Sequence, residues 1–177
     1  MERNRKLQEK FQLRNHREFS LNDIYKAAEQ SRATIYSVVP GFRLLGLTKE
    51  DQIAQMRAWN DRLISLPWIS RKTREDNKRL PREVMNWEAE DMSNLQSALA
   101  VLSTITGGWI DFFDQPSGAA DIYSHILSDI NERYIVGYYS TNKVHDGKRR
   151  KVTIEVRNHP DYMVIGRKSY YASNQNQ

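Results

Sequence analysis

The sequence predicts an α/β domain in which helices cover a parallel sheet. Helix-type and strand-type patterns alternate between residues 20 and 139, and parallel strands need a crossover, usually a helix, between them. The first strand pattern, residues 33–39, is apolar on both faces, as in a sheet covered on two sides. Only the last strand pattern alternates between apolar and polar residues, which indicates an edge strand with one wet face.

The first helix and the first strand follow from local signals. Ser20 and Asp23 have the spacing of a capping box, in which each side chain bonds to the other's backbone N–H. Apolar residues then recur at helical spacing to about Gln30. Residues 33–39 are rich in β-branched types and end at Pro40-Gly41. We therefore predict a helix over 21–30 and a strand over 33–39.

The middle of the chain is predicted to be mostly helical. Residues 42–93 are expected to form a helical insertion that begins at a Thr48 cap. A second helix is predicted for about 93–105, with Gly107-Gly108 as its stop signal. A short strand follows at 109–113.

The last helix and the end of the chain complete the pattern. Ser117 or Gly118 is expected to cap a helix with an apolar stripe. Residues 134–139 and 152–156 are predicted to form an antiparallel hairpin around an Asp146-Gly147 turn. The resulting division is a basic lead segment at 1–19 (loop or helix), the α/β part at 20–133, the β-hairpin extension at 134–172 and a polar tail at 173–177.

Composition limits the class of protein. The chain has 177 residues, which suits one domain, and it has no cysteine, so no disulfide framework or thiol nucleophile. Its apolar runs are too short to span a membrane, and its first residues lack the apolar centre of a signal peptide. The net charge is +5, with basic clusters at 1–17, 71–82 and 148–151. Few aromatics lie among them for base stacking, so we expect solvated faces and no nucleic-acid contact.

No constellation of catalytic residues is visible. The four histidines lack metal-ligand spacing, and phosphate-binding and nucleophile-elbow motifs are missing from the sequence. Asp121, His125 and Asp129 recur every four residues, which is typical of a solvated helix face. Asp91 and Ser93 begin a DxSxS-like cation motif, but Leu95 ends it, so Ser93 is expected to cap a helix. We therefore predict no catalytic, cofactor-binding or metal residue and no enzymatic activity.

Several stretches resemble a known family. They are "ATIYSVVPG", "LSTITGGWIDFF", "SDINERYIVGYYSTNKVHDGKRRKVTIEV" and "GRKSYYA". Together they resemble the von Willebrand factor type A (VWA) related domain of acidobacterial proteins, over residues 19–41 and 94–172. The resemblance implies the C-terminal half of a Rossmann-like sheet, truncated at its N-terminal side, with residues 33–39 and 109–113 as its last two parallel strands and the hairpin as an addition.

The same resemblance implies what this chain lacks. Family members begin with a strand that ends in the DxSxS cation motif, and this segment has no counterpart here. The resemblance therefore implies that the chain is a fragment without cofactor or metal ligand. Mg²⁺ is expected only in a complete domain, and the missing N-terminal half is an expected partner. Family members are often exported to the periplasm or outside the cell, but the sequence itself fixes no compartment.

The predicted function is a noncatalytic protein-binding or adhesion-type module. Open α/β sheets bind ligands at the carboxyl ends of their strands. This places Pro40, Gly41, Asp114 and Gln115 at the expected ligand rim. The alternative is a binder of nucleic acid or another anionic surface through the basic clusters. Strong salt dependence of binding would favour that alternative.

Overall fold

The computed structural model of the chain describes residues 19–31, 33–78 and 80–173. The predictions for residues 1–18 of the lead segment and for residues 174–177 of the tail lie outside the described residues. The same holds for the basic cluster at 1–17.

The described residues form a mixed α/β structure with five helices and four short strands. In chain order the elements are α1 (Leu21–Gln30), β1 (Ser37–Pro40), α2 (Lys49–Ser65), α3 (Arg71–Lys78), α4 (Arg82–Thr106), β2 (Ile110–Phe113), α5 (Pro116–Asn131), β3 (Arg149–Lys151) and β4 (Ser169–Tyr171). None of the described helices is long and apolar enough to cross a lipid bilayer.

The first sheet consists of β1 and β2, which are parallel. Its register runs from Ser37 opposite Ile110 to Pro40 opposite Phe113. The predicted parallel pairing of the two buried-type strands is therefore confirmed. Among the described residues each of these strands has only the other as a partner, so each has one unpaired edge.

The predicted signals explain how α1 begins and how α4 ends. Ser20 and Asp23 form the complete capping box in front of α1. Gly107 ends α4 at a φ of 83°, in the left-handed region that glycine adopts without strain. Gly108 then lies against the residues that come just before β1. A Cβ atom at position 108 would be 2.0 Å from the Ile35 carbonyl oxygen. The glycine pair is thus both a helix stop and the place where α4 turns into the sheet.

Two cap predictions are wrong. Ser93 lies inside α4, which begins at Arg82 and runs for 25 residues, because a polar residue within an otherwise helical stretch does not interrupt it. Helix α5 begins earlier than expected: Gln115 is its N-cap and Pro116 occupies the first turn. Proline suits that position, since its fixed φ is helical and its missing N–H is not needed there.

The predicted hairpin of 134–139 with 152–156 is also wrong. The antiparallel pair is β3 with β4, in which Arg150 lies opposite Tyr170. Residues 134–139 are in neither sheet. The physical reason is that period-2 alternation identifies a strand with one wet face but does not say which neighbouring segment pairs with it.

The best-packed core lies beside the parallel sheet. Five buried apolar residues from the segment after β1, α2 and α4 contact one another: Leu44, Ile53, Met56, Met85 and Ala89. Phe42 packs at the edge of this core with its ring 5.5 Å from that of Trp59. The helical insertion is thereby fixed against the segment that leaves the carboxyl end of β1.

Candidate functional site

The structure brings the predicted rim residues together. Pro40 lies opposite Phe113 in the sheet, and the Gly41 N–H donates to the Phe113 carbonyl at 2.7 Å. Asp114 and Gln115 follow directly and are exposed. Gly41, Asp114 and Gln115 therefore share the carboxyl edge of the parallel pair, as the positions after the two strands predicted.

A basic residue of the insertion reaches this rim. The Arg62 guanidinium, near the end of α2, lies 3.6 Å from the Asp114 carboxylate, and both side chains are largely exposed. An exposed pair of this kind contributes little to stability. The rim thus offers one paired carboxylate and one amide on an open surface. Within residues 19–31, 33–78 and 80–173, no cluster of three histidine or carboxylate side chains can hold a metal ion.

A buried glutamine positions the segment behind the rim. Gln96 of α4 is 2% exposed. Its Oε1 accepts from the Leu44 N–H at 2.8 Å, and its Nε2 donates to the Phe42 carbonyl at 2.9 Å. Sequence reasoning missed this residue. The signal was a polar side chain directly after Leu95 on a predicted apolar helix.

The row of Asp121, His125 and Asp129 does not form a site. Asp121 and His125 are exposed, whereas Asp129 belongs to a different group near the amino ends of the strands. Its carboxylate accepts from the Tyr36 hydroxyl and, at 2.7 Å, from Nη2 of Arg133. Arg133 also donates to the Gly107 carbonyl at 2.6 Å. This group ties the end of α5 to the sheet.

The pKa values of this group reflect its surroundings. Burial, followed by the hydrogen bond to Asp129, raises the pKa of Tyr36 to about 12. Burial works to raise the pKa of Asp129 as well, but hydrogen bonds from Tyr36 and Arg133 outweigh it, so this pKa lies below its ordinary value. Both shifts favour a neutral phenol beside an ionised carboxylate, which is the arrangement of a structural link.

A buried carboxylate joins α1 to the second sheet. Glu29 is 6% exposed. It accepts from Nε of Arg149 at 2.8 Å and from the Ser169 hydroxyl. Arg149 also donates to the Ser169 hydroxyl at 2.9 Å. The charge of Glu29 is therefore compensated, and the group positions β3 and β4 against α1.

The DxSxS-like stretch is helical and holds no cation site. Asp91 is exposed on α4. The Ser93 hydroxyl instead accepts from Nε2 of Gln52 in α2 at 3.2 Å. Gln52 and Ser93 therefore help to join α2 to α4. Asp91 takes no part in this contact.

The most unusual surface of the described chain is residues 134–139, here called the apolar segment. Ile135 and Tyr139 are 100% exposed, and Tyr134 is 94% exposed. No backbone hydrogen bond involves this segment within the described ranges. Its far end lies beside a groove of about 740 Å³ whose other wall is residues 149–155.

A second groove lies between two segments, here called the arms: residues 153–157, which follow β3, and residues 162–167, which precede β4. The ladder continues to the bond from the Val152 N–H to the Lys168 carbonyl, at 2.8 Å. Beyond it, no backbone hydrogen bond joins residues 153–157 to residues 162–167, all of which the structure describes. The space between these arms is about 1020 Å³. We call it the arm groove.

Helix α3 carries most of the described part of the second basic cluster, and Arg82 lies at the start of α4. Helix α3 buries no residue, and Arg71, Lys72 and Lys78 are exposed, whereas Arg74 is half-buried and donates to the Leu66 carbonyl at 2.9 Å. Arg71 pairs with Glu75 at 3.0 Å on the same helix. Trp68, which lies just before α3, is 75% exposed. An exposed aromatic side chain beside basic residues was not expected from the sequence.

No protein-family model, curated protein or solved structure matches this chain. The resemblance to VWA-related domains is therefore neither supported nor contradicted by these comparisons, and it stays a prediction.

Proposed function

We propose that the chain is a noncatalytic protein-binding module of the VWA-like kind. The observation that carries this proposal is the apolar segment, residues 134–139. Five of its six residues have apolar or aromatic side chains, and all five are more than half exposed. Contiguous exposed apolar surface of this kind marks interaction sites in soluble proteins.

The backbone of the apolar segment supports the same proposal. Within the described chain its N–H and C=O groups have no backbone partner, and an unpaired extended segment is a template for a strand from another polypeptide. Side chains then add specificity, since alternate residues face opposite sides of a strand. A protein ligand is thus the partner that suits both the side chains and the backbone of this segment.

The free edge of β1 supports a second contact of the same type. Val38 in the middle of β1 is exposed, and β1 pairs only with β2 among the described residues. Strands of a larger sheet, such as those expected from the VWA resemblance, would cover this edge. The rim at Gly41, Asp114 and Gln115 stays a weaker candidate, because its side chains are polar and few.

Site-specific photo-crosslinking tests the proposal. A benzophenone amino acid is placed at position 135 in the chain, expressed at its natural level in its own cell, and adducts are identified by mass spectrometry. We expect a discrete protein adduct from position 135. The purified partner should then bind the chain in calorimetry, and Ile135→Asp should weaken binding at least about tenfold, since one buried isoleucine is worth about 1.5–3 kcal/mol.

A control position distinguishes a specific contact from nonspecific adhesion. Lys72 on α3 is exposed and lies outside the apolar segment. The same crosslinker at position 72 should give no adduct with that partner. Equal adducts from positions 72 and 135, or unchanged binding of the purified partner to Ile135→Asp, would refute the proposal.

A second candidate function is binding to nucleic acid or another anionic surface. Trp68 favours it, because an exposed tryptophan beside basic α3 offers the combination of stacking and charge used in single-strand binding. A fluorescent single-stranded DNA oligonucleotide is the probe. Binding that weakens steeply with salt and is lost on Trp68→Ala would support this function. Affinity unchanged by Trp68→Ala would remove it.

A further inference from the structure

We infer that the arm groove binds an acidic, extended peptide of a partner protein, which pairs as a strand with the arms that leave β3 and β4. This inference rests on the proposed protein-binding function and names the chemistry of one ligand. The arm groove and the groove beside the apolar segment share residues 151–155 as a wall, but the apolar segment itself does not line the arm groove, so the two proposals are tested by different experiments.

The backbone of the two arms has unpaired groups with which an added strand could pair. The β3–β4 register pairs residues whose numbers add up to 320, such as Arg150 with Tyr170. Continued beyond Val152, this register would place Ile154 opposite Gly166. That pairing is not made, and the arms are separated by the groove. Both walls therefore present unpaired backbone groups, which is the arrangement that an added strand uses.

The side chains of the groove set the charge of its ligand. Four cationic residues line it: Lys151, Arg157, Arg167 and Lys168. Glu155 is the one carboxylate among the lining residues, and no salt bridge within the described ranges uses any of these five. The formal charge of the lining is thus 4 − 1 = +3, with histidine neutral. An acidic peptide is complementary to this charge, and a basic peptide is repelled.

One of the four cations also fixes the position of an arm. The Arg167 guanidinium donates to the carbonyl oxygens of Glu29, Ser31 and Ala33 at the end of α1. These partners carry no formal charge, and no carboxylate among the described residues pairs with this guanidinium. The arm that contains Arg167 is therefore attached to the first part of the fold, and the groove has one fixed wall.

The apolar residues of the lining determine which positions of the ligand are aliphatic. Val152, Ile154 and Val156 lie at alternate positions of one arm, and all three line the groove. In an extended ligand, alternate side chains point to opposite sides. A segment that alternates aliphatic with acidic residues thus places its aliphatic side chains on this arm and leaves its carboxylates near the four cations.

Three synthetic peptides test the inference by fluorescence anisotropy. The first alternates valine with glutamate, the second alternates valine with lysine, and the third is the first with N-methylated backbone amides. We expect the valine–glutamate peptide to bind, the valine–lysine peptide not to bind, and the N-methylated peptide to lose binding because it cannot pair as a strand. Failure of the valine–glutamate peptide to bind, or equal binding of all three, overturns the inference.

A charge-reversal variant locates the site. Arg157→Glu with Lys168→Glu should weaken binding of the valine–glutamate peptide about tenfold, since exposed charge contacts are worth about 0.2–1 kcal/mol each and both signs are reversed. The control is Lys72→Glu with Arg82→Glu, which makes the same charge change near α3, outside the groove lining. An equal loss in the control means non-specific attraction and overturns the groove site.

Amide hydrogen exchange examines the groove without ligand. We expect rapid exchange at Ile154 and Gly166 in the free chain and protection when the valine–glutamate peptide is added. Slow exchange at both residues before any peptide is added would show that the arms pair with each other, which overturns the inference. The crosslinking experiment at position 135 is unaffected by this outcome, so the proposed function is tested independently.

Discussion

Replacing Gln96 by methionine tests how the segment behind the rim is held. The Gln96 amide is 2% exposed and bonds to the Leu44 N–H and the Phe42 carbonyl, at 2.8 and 2.9 Å. Methionine has nearly the same length and shape but makes neither bond. The substitution therefore removes two hydrogen bonds with little change in side-chain volume.

The expected loss in the free energy of unfolding follows from the burial of the two backbone groups that Gln96 binds. Leu44 is 0% exposed, so its N–H has no route to water. A buried group left without a partner costs about 1–3 kcal/mol. Phe42 is half-buried, so its carbonyl contributes at the lower end of that range. We expect the free energy of unfolding to fall by about 2–4 kcal/mol, which corresponds to a decrease in Tm of roughly 4–16 °C in a domain of this size.

Urea unfolding followed by circular dichroism measures this loss. Gln55→Met is the matched control, because Gln55 is exposed on α2 and should change stability by less than about 0.5 kcal/mol. Exchange of the Leu44 amide should also accelerate in Gln96→Met. If Gln96→Met is as stable as the Gln55→Met control, the amide does not hold this segment and the reasoning is refuted.

Three further predictions concern the pH response, the buried carboxylate and the glycine turn. Because the pKa of Tyr36 is raised from 10.0 to about 12, the stability that the Tyr36 hydroxyl contributes is complete below pH 10 and is lost as the pH rises toward 12. The free energy of unfolding of Tyr36→Phe, measured in urea, should therefore fall less between pH 10 and 12 than that of the original chain. The same fall in both proteins would contradict this prediction. Arg149→Met should destabilise more than Glu29→Gln, by about 1–2 kcal/mol, because only the arginine substitution leaves the buried Glu29 carboxylate without its ion-pair partner. Equal losses in thermal unfolding would argue against the Glu29–Arg149 pair. Gly108→Ala should unfold the chain or lower its Tm sharply, since the new Cβ would lie 2.0 Å from a carbonyl oxygen, whereas Gly137→Ala has open space and should be neutral; similar Tm values for both variants would show that the close contact is absent.

The sequence predicted the elements whose signals are local. The capping box at Ser20 and the cap at Thr48 were correct because each lies within one helical turn of the backbone group that it binds. The parallel pairing of β1 with β2 was correct because two strand patterns joined by helices have few other arrangements. The rim followed directly, since Gly41 and Asp114 come immediately after those strands.

The features that were missed depend on contacts distant in sequence. Gln96 binds a segment about 50 residues earlier, and no local pattern marks that bond. The partner of β3 was wrong because alternation does not select between the segment before it and the segment after it. The arm groove depends on where β3–β4 pairing stops, beyond Val152, whereas the alternation over residues 152–156 predicts a strand that continues past that point.

Amide hydrogen exchange of the apolar segment tests whether residues 134–139 are free to bind a partner strand. The isolated chain is followed by NMR, and the amides of residues 134–139 are compared with those of β2. We expect near-unprotected exchange at 134–139 and slow exchange at Phe112, with protection of 134–139 appearing when the crosslinked partner protein is added. Protection of 134–139 equal to that of β2 in the isolated chain would mean that the segment is already paired, and it would contradict the proposed binding surface.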